Sequence, residues 1–300
     1  MDIVSRIKEL KQSLNAVILV HNYVGAQVQD IADITGDSLG LSIEAGRTSA
    51  PVILFAGVRF MAETAKILSP QAEVLLPVPD AGCPMADMAD ASEVAKYRRE
   101  HPDAILVAYV NTTAAVKAEV DICCTSANAD RVIRSLPPDR PVMFLPDRNL
   151  GANTAAKLGR KMELWPGFCP THNQIRPEDV RNARLAHPGA IVMAHPECTP
   201  EVVAQVDVAL STGGMLKYAK EAPEGTEFIV GTEHGIMHRL VLDNPGKRFY
   251  PLQPVPLCMN MKKITLDSVL HALESHQERI ELAPELIERA RRPIERMIAL

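Results

Sequence analysis

Three short apolar runs recur along the chain, each ending in a polar ring: Ala16-Val17-Ile18-Leu19-Val20-His21, Ala104-Ile105-Leu106-Val107-Ala108-Tyr109 and Ala190-Ile191-Val192-Met193-Ala194-His195. The rings at 21, 109 and 195 stand 88 and 86 residues apart, and each is followed 17 residues later by a hydroxyl, at Ser38, Ser126 and Thr212. A further apolar run comes next in each case (Val52 to Phe55, Val142 to Leu145, Phe228 to Val230). A Pro-containing stretch then closes on Cys83, Cys169 or Cys258, spaced by 86 and 89 residues. Such runs, rich in Val and Ile and alternating with longer helical patterns, predict parallel strands covered on both faces. The pattern thus predicts an α/β protein of three repeated αβα sandwich domains with short parallel sheets, arranged around a pseudo-threefold axis. Amphipathic helices open the units at Ile3 to Leu14, Ser92 to His101 and Pro177 to His187, the last two stopped by His-Pro pairs. The units are read as 1–88, 89–174 and 175–262. A charged helical segment, 263–300, has no counterpart and is expected to pack on the first unit.

In open parallel sheets, ligands bind beyond the carboxyl ends of the strands. The repeat places His21-Asn22-Tyr23, Tyr109-Val110-Asn111 and His195-Pro196-Glu197 after the first strand of each unit. After the second strand it places Ser38, Ser126 and Thr212, each expected directly before a helix (Leu39 to Ala45, Ala127 to Ser135, Met215 to Glu221). A hydroxyl beside free backbone N–H groups and a positive dipole end suits an anion. Taken singly, each hydroxyl is more simply an N-cap and each ring a satisfied structural residue; three of each in register favour one shared pocket. Tyr23, Glu197 and His195 are its candidates for proton transfer.

If the units pack about a common axis, Cys83, Cys169 and Cys258 converge. Three protein ligands leave an open position on a tetrahedral metal or on one corner of an iron–sulfur cluster, a Lewis acid for substrate. Zinc and iron–sulfur readings both stay open on the residues alone. Cys123 and Cys124 lie in an apolar strand and are read as packing, and Cys198 is unassigned. His172 and His234 are weaker candidates for the pocket wall.

Composition narrows the partners. The 300 residues carry 32 basic and 37 acidic side chains, a net charge of −5, and no basic stretch. Nucleic acid and membrane are therefore not expected as partners, and small molecules are. Length alone suggests two domains of about 150 residues, which the repeat overrides. No apolar stretch approaches the ~18–20 residues of a membrane span, and the N-terminus lacks an apolar signal core. A cytoplasmic location is expected, with the six cysteines as thiols rather than disulfides. No Gly-x-Gly-x-x-Gly follows the first strand, so no dinucleotide cofactor is expected.

Taken in order, His21-Asn22-Tyr23, Gly36-Asp37-Ser38, Tyr109-Val110-Asn111, His195-Pro196-Glu197-Cys198, Ser211-Thr212-Gly213-Gly214-Met215 and Cys258-Met259-Asn260-Met261-Lys262 resemble the quinolinate synthase family over essentially the whole chain. The resemblance implies three αβα domains and a [4Fe–4S] cluster held by Cys83, Cys169 and Cys258, with the unliganded iron acting on substrate. It implies condensation of iminoaspartate (iminosuccinate) with dihydroxyacetone phosphate to give quinolinate, phosphate and water in NAD biosynthesis. An iminoaspartate-producing oxidase or dehydrogenase is then a candidate partner. The resemblance assigns His21, Ser38, Tyr109, Val110, Asn111, Ser126, His195, Pro196, Glu197 and Thr212 to substrate binding, and Tyr23 and Glu197 to acid–base steps. Gly213-Gly214 departs from the more hydroxyl-rich loop of many relatives. Extra cysteines near the last ligand, present in some relatives, are missing, so redox control through such a pair is not expected. Two alternatives stand beside this reading. One is a zinc-dependent lyase or hydrolase on the same three cysteines; the other is a non-enzymatic iron–sulfur redox sensor, which needs an exposed docking surface that the sequence does not show.

Overall fold

Strands form where the apolar runs fall. The computed structural model describes residues 2–300. The first unit holds β1 (Ala16–His21), β2 (Ile34–Gly36), β3 (Val52–Ala56) and β4 (Glu73–Leu75). The second holds β5 (Ile105–Tyr109), β6 (Ile122–Cys124), β7 (Val142–Leu145) and β8 (Glu163–Leu164), and the third β9 (Ile191–Ala194), β10 (Val208–Ala209), β11 (Glu227–Gly231) and β12 (Arg248–Pro251). Each set is one parallel four-stranded sheet, and the strand order is the same in all: β2-β1-β3-β4, β6-β5-β7-β8 and β10-β9-β11-β12. The protein is an α/β fold of three repeated sandwich units. Helices on both faces explain why Leu19, Val107 and Val192 in the first strands are wholly buried. Among the described residues, no helix is long and apolar enough to cross a membrane.

A second repeat-equivalent set, not singled out from the sequence, fastens each unit. Asp33, Asp121 and Asp207 each accept, through Oδ2, the backbone N–H of Ile18, Leu106 or Val192, all at 2.8 Å. Each aspartate's own N–H donates back to the same residue's carbonyl at 3.0 Å. The carboxylate replaces a ladder partner just where the second strand begins. Asp121→Ala is expected to strand the Leu106 N–H and destabilise the fold by about 1–3 kcal/mol. Urea unfolding checks this: the midpoint falls with the slope unchanged, and a loss below about 0.5 kcal/mol rules the clamp out.

The first two units share one apolar core with the C-terminal helices, whereas the third unit has separate clusters on the two faces of its sheet. Helix Leu266–Ser275 packs on helix Ile3–Ser13 and β3, all in the first unit. Packing on the first unit is nevertheless too narrow a description of the whole segment. Helix Pro284–Ile298 lies across helix Arg59–Leu68 of the first unit and across β6 and helix Ala114–Lys117 of the second. Its amphipathic face buries Ala290, Ile294 and Met297 in that shared core. Arg291 donates to the Ile67 carbonyl on one side and Arg296 to the Asp121 carbonyl on the other.

Candidate active site

The three units open their strand ends on one cavity of about 270 Å³. The first unit contributes His21, Tyr23, Ser38 and Cys83; the second Tyr109, Asn111, Ser126 and Cys169; the third His195, Glu197, Thr212 and Cys258. His172 joins them, but His234 does not. The His234 backbone N–H instead donates to the Pro256 carbonyl, outside the cavity lining. Val110 and Pro196 are likewise absent from the wall. Their carbonyls accept from buried Lys117 Nζ at 2.7 Å and from Asn153 Nδ2 at 2.8 Å, so they hold the strand-end loops instead. Cys123, Cys124 and Cys198 are fully buried away from the cavity.

The simple N-cap explanation of the hydroxyls does not hold. Asp37 caps helix Ser38–Arg47 by accepting the Gly40 N–H at 2.9 Å, and Ser211 caps helix Thr212–Glu221 by accepting the Gly214 N–H at 3.1 Å. Both helices start earlier than predicted, with Ser38 and Thr212 as their first residues. Asn128 occupies the cap position before helix Ala129–Ser135. The three hydroxyls are thereby free for the cavity: Ser126 Oγ lies 3.1 Å from His195 Nε2, and Thr212 Oγ1 accepts from buried Asn22 Nδ2 at 3.2 Å. A Cβ on Gly213 would fall 2.6 Å from Asp37 Oδ2, so glycine there lets the helix starts of the first and third units meet.

His21 Nδ1 accepts the Tyr23 N–H at 3.2 Å and His195 Nδ1 accepts the Glu197 N–H at 3.3 Å. A neutral ring accepting at Nδ1 carries its proton on Nε2 and offers a donor. Burial pushes both rings down to about 3, against the pull of the Glu197 charge. The unfolded imidazoles titrate near 6.5, so between that pH and about 3 the unfolded chain binds more protons. Stability is therefore intact above pH 6.5 and is lost as pH falls, by about 1.4 kcal/mol per pH unit for each ring. Urea midpoints from pH 7 to 4.5 check this, and a flat series excludes neutral buried rings.

Both oxygens of Glu197 are occupied. Tyr109 Oη donates to Oε1 at 2.5 Å, and His172 Nδ1 lies 2.7 Å from Oε2. His172 Nε2 is 2.8 Å from Thr232 Oγ1, which is 2.6 Å from Tyr23 Oη. With Nδ1–H donating to Glu197, one consistent direction follows: Tyr23 to Thr232 to His172 to Glu197. Burial pushes the Glu197 carboxyl up, but the His195 and His172 rings and the hydrogen bonds from His172 and Tyr109 reverse this and hold it below the usual range. Burial and the Glu197 charge push both tyrosines well above their usual value. The site holds a buried carboxylate wired to two protonated phenols. Thr232 was missed from the sequence because its equivalents after β3 and β7, Gly57 and Pro146, carry no hydroxyl.

Each cavity cysteine precedes a short helical turn whose N–H groups face its sulfur: Ala86 and Met85 at Cys83, His172 at Cys169, Met261 and Asn260 at Cys258. Burial outweighs these donors and pushes all three thiols up, Cys83 to about 12. Sulfurs built to accept hydrogen bonds yet disfavoured as bare thiolates suit a bound cation. Among the described residues, the donors gathered within 4.8 Å of one another are those of Cys169, His172 and Glu197; the three thiols are not drawn to that spacing.

The family described as "Quinolinate synthetase A protein" matches residues 5–299. A quinolinate synthase of Methanoregula boonei is 53% identical over 294 residues, covering 98% of this chain and 97% of that protein. One from Desulforudis audaxviator is 50% identical over 299 residues (100% and 98%), and "Quinolinate synthase 2" of Methanosarcina acetivorans is 47% identical over 298 residues (99% and 96%). With near-complete coverage in both directions, these matches and the three-unit fold establish that the chain belongs to the quinolinate synthetase A family of enzymes.

Proposed function

We propose that the cavity condenses iminoaspartate with dihydroxyacetone phosphate, releasing quinolinate, phosphate and two waters in the biosynthesis of NAD. The observation that carries this reading is the convergence of three repeat-equivalent thiols and three repeat-equivalent polar strand ends on one small cavity. A [4Fe–4S] cluster fits the thiols better than one zinc ion. Three sulfurs on tetrahedral zinc stand about 3.8 Å apart, given ~2.3 Å bonds, and these sulfurs are spread more widely. When bound by Cys83, Cys169 and Cys258, the cluster supplies an iron free to act as a Lewis acid toward a substrate oxygen.

The chain's own groups do the rest. Ser38 and Thr212, with the free N–H groups of their helix starts, hold carboxylates without a cationic side chain. His21 and His195 donate from Nε2 as neutral rings, so they bind anions without drawing protons from Glu197. Asn111 Oδ1 is buried without a partner in the cavity wall and accepts a substrate N–H or O–H. Glu197 takes a proton at its carboxylate, and Tyr23 and Tyr109 return protons from Oη through the wired chain.

Anaerobically purified protein, assayed for quinolinate from the two substrates alongside iron and acid-labile sulfide, tests the proposal. Turnover with about four of each per chain supports it; a colourless protein that turns over neither substrate overturns it. A second reading has one specific observation behind it: a single divalent ion on Cys169, His172 and Glu197. It predicts one zinc and no sulfide, and leaves Cys83 and Cys258 without a task.

A further inference from the structure

The stretch Thr232-Glu233-His234-Gly235 follows β11, and only its threonine has a place in the site described so far. Glu233 is wholly buried. Its Oε1 accepts the Cys258 backbone N–H at 3.0 Å and its Oε2 accepts the Gly235 N–H at 2.6 Å. Lys262 Nζ lies 2.8 and 3.1 Å from the two carboxylate oxygens. The same ammonium donates to the Tyr23 carbonyl at 2.6 Å. Gly235 closes the arrangement, because a Cβ there would fall 2.6 Å from the Tyr23 carbonyl carbon and oxygen. One ion pair therefore joins the backbone of a thiol ligand in the third unit to the backbone of a proton-transfer residue in the first.

The repeat shows that the carboxylate is not placed by accident. Gly231 pairs with Ala194 and Leu145 with Ala108, so Glu233 and Asp147 occupy the same position, two residues beyond the third strand of their units. Asp147 is also wholly buried. Its Oδ1 accepts the Asn149 and Leu150 N–H groups, while its Oδ2 is buried without a hydrogen-bond partner and faces the Cys169 N–H without bonding to it. Two units thus set a buried carboxylate against the N–H of their own cavity cysteine. The first unit has Val58 there and anchors its loop from outside, through Asn260 Nδ2 on the Gly82 carbonyl at 2.8 Å.

We infer that Glu233 is a positioning residue for Cys258, as Asp147 is for Cys169, and that Lys262 couples the seating of Cys258 to the placement of Tyr23. The inference rests on the cluster reading above. Supporting groups around metal ligands change metal affinity or activity about 10-fold to 100-fold when removed. In full-length protein loaded with iron and sulfide, Glu233→Gln is expected to release iron to a chelator faster by that factor and to lower kcat with KM little changed. Lys262→Met should do the same, and Lys262→Arg, which keeps the charge and a donor, should restore both. A loaded wild type with Glu233→Gln releasing iron at the wild-type rate overturns the inference alone. A wild type that takes up no iron overturns the cluster reading and this inference with it. If Glu233→Gln cannot be purified, Asp147→Asn and Lys262→Met carry the test, and wild-type release in both overturns it.

Discussion

Cys83→Ser should purify as a folded, colourless protein in which iron and sulfide fall from about four per chain to near none. A serine oxygen keeps the size and the N–H contacts from Ala86 and Met85 but offers a harder, more basic donor than a thiolate. Removing a Lewis acid worth several kcal/mol of transition-state stabilisation lowers turnover about 10³-fold or more. The fold should survive, since Cys83 lies at the margin of the shared core, and a urea midpoint within about 1 kcal/mol of wild type would show it. Retention of the full metal content would remove Cys83 from the ligand set and return attention to Cys169, His172 and Glu197.

Glu197→Gln should do the reverse, keeping the metal and losing the chemistry. The carboxylate accepts on both oxygens, from Tyr109 and from His172. An amide can accept on one side only, so its NH₂ group faces a donor and the chain from Tyr23 to Tyr109 loses its proton acceptor. A fall in kcat of about 10²–10⁴ is expected from losing a positioned base, with iron and sulfide unchanged. Turnover equal to wild type would remove Glu197 from the proton-transfer role. The two substitutions together separate holding the metal from moving the proton.

Much of this site is legible in the sequence because each unit repeats one chemical plan at one place. Residues 21, 109 and 195 stand at the carboxyl ends of equivalent strands, and 38, 126 and 212 follow the equivalent second strands, so a spacing of 86 to 88 is itself a statement of spatial equivalence. What escapes it breaks the symmetry or arises between units. Thr232 has no hydroxyl counterpart, and His172 owes its importance to a glutamate 25 residues away in the next unit. Which residue caps each helix is not legible, because Asp37 and Ser38, like Ser211 and Thr212, are both competent N-caps; choosing between them takes the backbone geometry. Helix Pro284–Ile298 shows an amphipathic face in its sequence, but not that two units share it.

The third unit's apolar clusters stand apart from the core that joins the first two units to the C-terminal helices. Described contacts joining it to them include polar ones: Gln29 to the Gly235 carbonyl, Asn149 to the Glu197 carbonyl, His238 to Asp30, and the Lys262 bond to Tyr23. Parting such contacts exchanges hydrogen bonds with protein for hydrogen bonds with water, while the apolar clusters on the two faces of the third sheet stay covered. Loosening there would carry little of the heat-capacity change that marks apolar exposure. A cavity assembled from three strand ends can thus be wetted from one side without melting any of the sheets that define it.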